Sequence, residues 1–277
     1  MAHETSANLP PTPDTLPRCS TAELIERLAA ARDRAPAGAR ALLAFDADNT
    51  IWKGDVGVDL FEALLAEDLV RPAAAEALER LAREVGVGSG LGAVGTARAL
   101  YESWEKQLSP CCPEDKTFAM QAWIYAGFTP AELTAFAERV LEKVGIAERI
   151  RPEVREIVKW ARNSGVEVVV ASASPRTPVE VGVRHLGIPA ESVFAMTSKI
   201  DGGVLMPELT GVFVYAEGKA VAVREGRPGA VVLGGFGDSA YDAALMRMSA
   251  VPVAIGPGPG LLRAAPSVPG IVELATS

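Results

Sequence analysis

The stretch ALLAFDADNT, Ala41 to Thr50, runs through five apolar residues into a carboxylate, with a second carboxylate and then a threonine at two-residue intervals beyond it. A short apolar run bounded by turn residues reads as a strand buried on both faces. The strand is expected over 41–46, with Asp46 at its tip and Ala47 to Thr50 forming the turn after it. Taken alone, such an acidic turn has an ordinary explanation in turn chemistry and helix capping. What surrounds it decides between the readings.

Upstream, a Pro-rich leader is followed by Ser20 and Glu23, a capping-box pattern that predicts an amphipathic helix over 21–34. Downstream, residues 54–150 carry apolar residues at spacings of three and four, as in Leu60, Leu64 and Leu65, then Leu78 and Leu81, then Leu133, Phe136 and Val140. Thr129, Pro130 and Glu132 mark a helix start within that stretch. Strand signals are missing from it, so 54–150 is expected to be a separate helical lobe, with GVGSGLGAVG at 86–95 as a hinge or loop between its helices. A helix near 152–163, closed by Asn163 and Gly165, then leads to a second buried strand, VEVVVA. Alternation resumes with a helix near 178–186, a strand at 193–198, a hairpin turn at Asp201-Gly202-Gly203 and a helix from about 217. Strands at 230–235 and 251–255 complete the expected set. Strands alternating with helices imply a mainly parallel sheet covered on both faces, where ligands bind beyond the carboxyl ends of the strands.

The whole chain sets bounds on its chemistry. Its 277 residues, 49% hydrophobic and 22% charged, suit an ordinary globular protein with a substantial core. A formal charge of −8 argues against a broad polyanion-binding surface, so no nucleic-acid partner is expected. No apolar run resembles a signal peptide or a membrane span, and a cytoplasmic location without membrane association is the expectation. Cys19, Cys111 and Cys112 supply neither a disulfide framework nor the spaced pairs of a structural zinc site. With only His3 and His185 in the chain, suspicion for catalysis falls on carboxylates.

Three further polar features stand at expected strand ends or helix starts. Ser172 follows VVVA and would ordinarily cap a helix, although a hydroxyl there also suits a phosphate oxygen. Lys219 lies in YAEGKAVAV, where a lone lysine is normally a solvated charge. GGFGDSAYD, Gly234 to Asp242, follows VVL and places Asp238 and Asp242 four residues apart near a helix entrance. Helix capping is the plain reading of Asp238.

In this order and context the four features resemble the haloacid dehalogenase-like phosphohydrolases, in the branch that includes phosphoserine phosphatases. Asp46, Asp48 and Thr50 match the first motif of that family, Ser172 the second, Lys219 the third, and Asp238 and Asp242 the fourth. The resemblance spans about 41–256. It implies an α/β fold: a Rossmann-like three-layer sandwich with a mainly parallel sheet, plus an inserted all-helical cap of the C1 type. The implied division is an N-terminal extension with one helix at 1–40, a catalytic core at 41–53 and 151–277, and a cap at 54–150. Gly54 and the segment before Pro152 are its candidate hinges.

The resemblance also implies a chemistry: Mg2+-dependent hydrolysis of a small phosphorylated substrate through an aspartyl-phosphate. Asp46 would be nucleophile and metal ligand, Asp48 the general acid/base and a ligand through its backbone carbonyl, and Asp238 the ligand opposite. Asp242 would support this set from behind, and Thr50, Ser172 and Lys219 would hold phosphoryl oxygens. These residue types suit the task, because a carboxylate attacks a phosphate monoester only when the charges of both are offset by a cation. Two close carboxylates titrate as a coupled pair, which favours one proton donor beside one ionised nucleophile. Phosphoryl transfer to an alcohol and non-catalytic binding of a phosphorylated ligand are the alternatives on the same fold.

A rival reading takes Gly235 to Ala240 as a dinucleotide-binding fingerprint, but the acid that should follow some 20 residues later is absent. GPGPG at 256–260 lacks the Lys-Ser/Thr of a nucleotide-binding P-loop and reads as a strand-to-helix turn. For the substrate, Asp55 stands nine residues after Asp46, where phosphoserine phosphatases hold an acid that meets the substrate amine. Its plain reading is a cap for the helix beginning near Val56. Tyr101, Trp104, Trp123 and Tyr125 are candidates for an aromatic box around a cationic head group, as in phosphocholine, with core packing as the plainer role. Asp55 and these rings favour an amine-bearing phosphomonoester. Arg71 and Arg98 are candidates to face the site or solvent.

Overall fold

The computed structural model describes residues 15–88, 90–105 and 114–276. His3, Cys111 and Cys112 lie outside the described residues. The strands are β1 (Arg18–Cys19), β2 (Ala41–Phe45), β3 (Glu167–Pro175), β4 (Val193–Asp201), β5 (Val204–Thr210), β6 (Val231–Gly237), β7 (Val251–Ile255) and β8 (Val272–Leu274). They form one sheet in the order β1-β8-β7-β6-β2-β3-β4-β5. Every neighbouring pair is parallel except β4 and β5, the hairpin turned at Gly202 and Gly203. The short strands β1 and β8 were not among the expected ones. At two and three residues they are too brief to carry a hydrophobic period, and their register comes from the neighbouring strand.

The sequence of β2 makes it the central strand. Leu43 and Phe45 point to one face and pack with Leu24 and Leu28 of helix α1 (Thr21–Arg34) and Val154 and Ile157 of a later helix, Pro152–Asn163. Leu42 and Ala44 point to the other, against Ala222, Val223 and Leu245. Alternate residues of one strand thus feed two cores, which is what produces three layers. Phe45 and its register partner Phe236 stack with ring centroids 3.9 Å apart, locking β2 to β6. Because the chain leaves β2 toward β3 on one side and β6 on the other, the switch point of the sheet falls at the carboxyl end of β2.

Between β2 and the helix at Pro152 the described residues form helices α2 (Val56–Ala66), α3 (Ala75–Val85), α4 (Gly92–Glu105), α5 (Glu114–Trp123), α6 (Pro130–Lys143) and α7 (Ile146–Arg149), plus one short 3-10 turn. The Gly-rich 86–95 segment is only partly a connection, since α4 already begins at Gly92. The remaining helices are α8 (Pro152–Asn163), α9 (Arg176–Val183), α10 (Glu217–Gly226), α11 (Ala243–Arg247) and α12 (Pro259–Ala264). The capping box predicted at Ser20 forms, and the helix start predicted at Thr129 turns out to carry one as well. No helix among the described residues is long and apolar enough to cross a membrane.

Two features join the helical stretch to the sheet. The strands of chain entering and leaving it run side by side, with Lys53 N donating to Arg149 O (3.1 Å) and Arg151 N to Ile51 O (3.0 Å). Gly54 sits here at φ +94°, beside the Arg149 guanidinium, in a conformation that favours glycine. On the far side α5 packs on β3, β4 and β5, and residues 127 and 128 exchange backbone hydrogen bonds with Leu205. The apolar core continues unbroken from the sheet through Ile51, Trp52 and Val56 into α2 and α6.

Candidate active site

Three adjacent strands deliver the polar groups. Asp46 follows β2, Ser172 lies in β3, and Asp238 follows β6, so parallel pairing alone sets their backbones side by side. α10 brings Lys219 from the other layer. Ala216, immediately before that helix, is held at φ +49°, a strained conformation for a residue with a side chain. The resulting cavity of about 150 Å³ is lined by Asp46, Asp48, Asp55, Ser172, Lys219 and Asp238 among the residues expected from sequence. Thr50 and Asp242 stand behind that wall.

Lys219 is the hub. Its Nζ donates to Asp46 Oδ1 and Asp242 Oδ1, each at 2.6 Å, with the lysine side chain only 4% exposed. Burial works to lower the ammonium's affinity for its proton, but Asp242 and Asp46 outweigh it and the net shift is upward. Asp242 has no oxygen to spare: its Oδ2 accepts from Asp238 N (3.2 Å), Ser239 N (2.9 Å) and Ser239 Oγ (2.8 Å). Gly237 makes this possible, because a Cβ there would fall 2.3 Å from the Cβ of Asp242. Ser239, not Asp238, is therefore the helix cap, and Asp238 is left to face the cavity.

Asp46 is fixed by Lys219 and by Thr50 Oγ1, which donates to Asp46 Oδ2 at 3.2 Å. Burial is the main influence on the Asp46 carboxyl and pushes it up to about 7, with Asp242 and Asp48 adding and Lys219 opposing. Lys219 favours the ionised form and the surroundings disfavour it, and the upward direction holds because burial and the other carboxylates together exceed one ammonium. Asp238 is raised to about 8, by burial first and then by Asp46 and Asp242. Oxygens of Asp46, Asp238 and Asp242 lie within 4.8 Å of one another. Asp46 and Asp238 face the cavity, and their crowded hard oxygens are donors that fit a magnesium ion, whose charge would relieve the repulsion.

Asp48 is held differently. Its Oδ1 accepts from Trp52 Nε1 (2.9 Å) and Val56 N (2.8 Å), and its Oδ2 from Ser174 Oγ (2.6 Å). Burial, followed by the charge of Asp55, raises it to about 7 in spite of these donors. Ser172 caps no helix; its Oγ accepts from Ser174 N at 3.0 Å within the bent end of β3. Asp55 does cap α2, accepting from Val58 N at 2.9 Å, and it lines the cavity as well.

The aromatic residues sort differently from the expectation. Tyr101 stacks on Phe61 and meets Trp104 edge-on, while Tyr125 packs edge-on against Phe128, so these rings belong to the helical core and form no common box. The rings that line the cavity are Phe118, Tyr215 and Tyr241, packed in series at 5.2 and 4.8 Å. Of these, Tyr215 had a usable signal in standing just ahead of the helix that carries Lys219, whereas Phe118 had none. Arg71 and Arg98 serve the fold: Arg71 binds Gly127 O and Glu132, and Arg98 binds Leu65 O and Asp68.

A sheet whose switch point gathers carboxylates, a buried lysine and a serine defines a class of hydrolase, and the comparisons agree. The description of the haloacid dehalogenase-like hydrolases matches residues 43–247, and the chain belongs to that family. No curated protein sequence matches it. Among solved structures, a protein of unknown function from Bordetella pertussis Tohama I is similar with a TM-score of 0.66 at 20% identity, covering 86% of this chain and 99% of its own. A HAD family hydrolase from Salmonella enterica serovar Typhi gives 0.51 at 16% identity, covering 82% and 67%. A probable phosphoserine phosphatase from Vibrio cholerae gives 0.50 at 16% identity, covering 86% and 61%. At these identities the likeness is one of fold.

Proposed function

We propose that the chain is a Mg2+-dependent phosphomonoester phosphatase that works through a phosphoryl group carried on Asp46. The observation that carries this reading is Lys219, buried and bonded to both Asp46 and Asp242 with Asp238 beside them. Asp46, Asp238 and the backbone carbonyl of Asp48 would hold Mg2+, whose charge offsets that of the carboxylate and the phosphate. An Asp46 oxygen attacks phosphorus while the ester P–O bond breaks, and Asp48 gives its proton to the leaving oxygen. Asp48 then takes a proton from water attacking the same phosphorus, which frees Asp46 and inorganic phosphate. A carboxyl raised to about 7 is suited to both halves of that exchange. Lys219 and Ser172 face the phosphoryl oxygens, and Thr50 and Asp242 hold Asp46 and Lys219 in place.

In this reading residues 54–150 are a cap, which opens about the paired crossings at 51–54 and 149–151 and closes to exclude water. A cavity of about 150 Å³ suits a small metabolite better than a nucleotide. Asp55 in its wall favours one that bears an amine. A cytoplasmic enzyme acting on small phosphorylated metabolites is the reading as a whole. The test is phosphate release from p-nitrophenyl phosphate and a panel of phosphomonoesters with and without Mg2+. Mg2+-dependent release is expected, and binding of phosphorylated ligands without release would overturn the proposal.

A further inference from the structure

We infer that Phe118, Tyr215 and Tyr241 are specificity-determining residues of this site: they form an aromatic wall that receives a flat apolar ring on a phosphomonoester whose organic part carries no second anionic group. The inference rests on the phosphatase reading above and deepens it by naming a substrate class.

It starts from rings that the fold does not finish burying. Phe118, Tyr215 and Tyr241 are each only half-buried, and all three line the cavity. They pack in series, with ring centroids 5.2 Å apart from Phe118 to Tyr215 and 4.8 Å from Tyr215 to Tyr241. The wall therefore runs from the loop that carries Asp238, past the start of α10, to α5. Aromatic side chains ordinarily spend their large apolar surface on a core. A contiguous aromatic patch kept in a concave site is where the apolar part of a ligand goes. The chain behind the rings fixes them in place. Ala122, Ala173 and Met196 are buried against Phe118, Phe213 and Tyr215 in an apolar cluster separate from the larger cores. Tyr215 is tied by its backbone on both sides: its N donates to Phe213 O (2.9 Å) and its O accepts from Gly218 N (2.8 Å). A Cβ on Gly218 would fall 1.9 Å from Phe213 O, so this turn requires glycine. Ala216, between Tyr215 and α10, keeps its strained φ of +49°, and strain retained beside a cavity points to a side chain whose position matters there.

Charge narrows the ligand further. Asp46, Asp48, Asp55 and Asp238 line the same cavity. Among the described residues that line it, Lys219 is the one cation, and it is already bonded to Asp46 and Asp242. A carboxylate on the organic part of the substrate would meet like charge there with no counter-charge beside it. An uncharged ring meets no such penalty and gains apolar contact along the wall.

The experiment compares benzyl phosphate, n-propyl phosphate and 4-carboxybenzyl phosphate, with p-nitrophenyl phosphate as a reference and Mg2+ present. All three test esters release primary alcohols, so their ratios read recognition of the organic part more than leaving-group chemistry. The wild-type chain is expected to favour benzyl over n-propyl phosphate at least about tenfold in kcat/KM, mainly through KM. It should favour benzyl over 4-carboxybenzyl phosphate at least about fivefold. Phe118→Leu, Tyr215→Leu and Tyr241→Leu keep an apolar side chain and remove the ring. Each is expected to lower the benzyl-to-propyl ratio at least about threefold while kcat on n-propyl phosphate stays within about twofold, a split that a merely structural role would not give. Tyr215→Phe and Tyr241→Phe keep the ring and should keep the ratio. A wild type that uses benzyl phosphate no better than n-propyl phosphate would overturn the inference, as would equal use of the carboxylated ester. Leucine variants that keep the wild-type ratio, or that lose both esters alike, would overturn it too. Failure to hydrolyse any of the four esters would instead remove the phosphatase reading and this inference with it.

Discussion

Replacing Lys219 by methionine removes one cation from between two buried carboxylates and leaves the chain length of the side chain nearly unchanged. With Nζ at 2.6 Å from Asp46 Oδ1 and from Asp242 Oδ1, each pair is worth roughly 6 kcal/mol of gross Coulomb attraction at an effective dielectric constant of about 20. Most of that offsets the desolvation of burying the charges, and removing one partner from such a set leaves a net loss of about 3–5 kcal/mol. The loss should depend on pH. As pH falls toward 5, Asp46 and Asp238, both raised by burial, take up protons in the folded variant and much of the uncompensated charge disappears, so less than half the loss should remain. Urea unfolding of metal-free wild type and Lys219→Met at pH 8 and pH 5 measures this. A difference below about 1 kcal/mol at pH 8, or one equal at both pH values, would refute the reasoning that Lys219 is the counter-charge of the site.

Other consequences follow from the same geometry. Asp48→Asn keeps the shape but cannot donate or take the proton, and kcat should fall about 10²- to 10⁴-fold in steady-state assays. Gly237→Ala forces a methyl into Asp242 and should destabilise the fold by at least about 2 kcal/mol in urea titration while lowering activity. In the metal-free protein Asp46 and Asp238 have folded-state pKa values of about 7 and about 8, raised from 3.8, so the folded state holds more protons than the unfolded one between these limits. The stability these two groups contribute should therefore be fully present below about pH 4 and be lost as pH rises to 8, by at least about 1 kcal/mol. Mg2+ at 100 times its dissociation constant should return about 2.7 kcal/mol at pH 8, and thermal melts with and without EDTA would show it.

The parts of this molecule that were legible in sequence are those governed by local chemistry. ALLAF is apolar on both faces because β2 lies between two helical layers, and the capping boxes at Ser20 and Thr129 are written in adjacent residues. The convergence of Asp46, Ser172 and Asp238 was legible because parallel strands carry their carboxyl ends to one edge. What was not legible depends on contacts between distant segments. Trp52 holds Asp48 through an indole N–H whose direction only the crossing of two chain segments sets. Phe118, Tyr215 and Tyr241 come from three separate parts of the chain, and no spacing relates them. Tyr101, Trp104, Trp123 and Tyr125 illustrate the converse: nearness in sequence placed them on a helical core, not around a common point. β1 and β8 are strands only because β7 offers an edge on which to build.

The central claim is that Asp46 is the nucleophile, and the most direct measurement is to find the phosphoryl group on it. Wild-type protein mixed with Mg2+ and a turned-over phosphomonoester, quenched in acid during turnover and digested, should yield a phosphorylated peptide with the modification on Asp46. Asp46→Asn should yield none and lose at least about a thousandfold in kcat. Turnover that survives in Asp46→Asn, or phosphorylation found at another residue, would contradict the account.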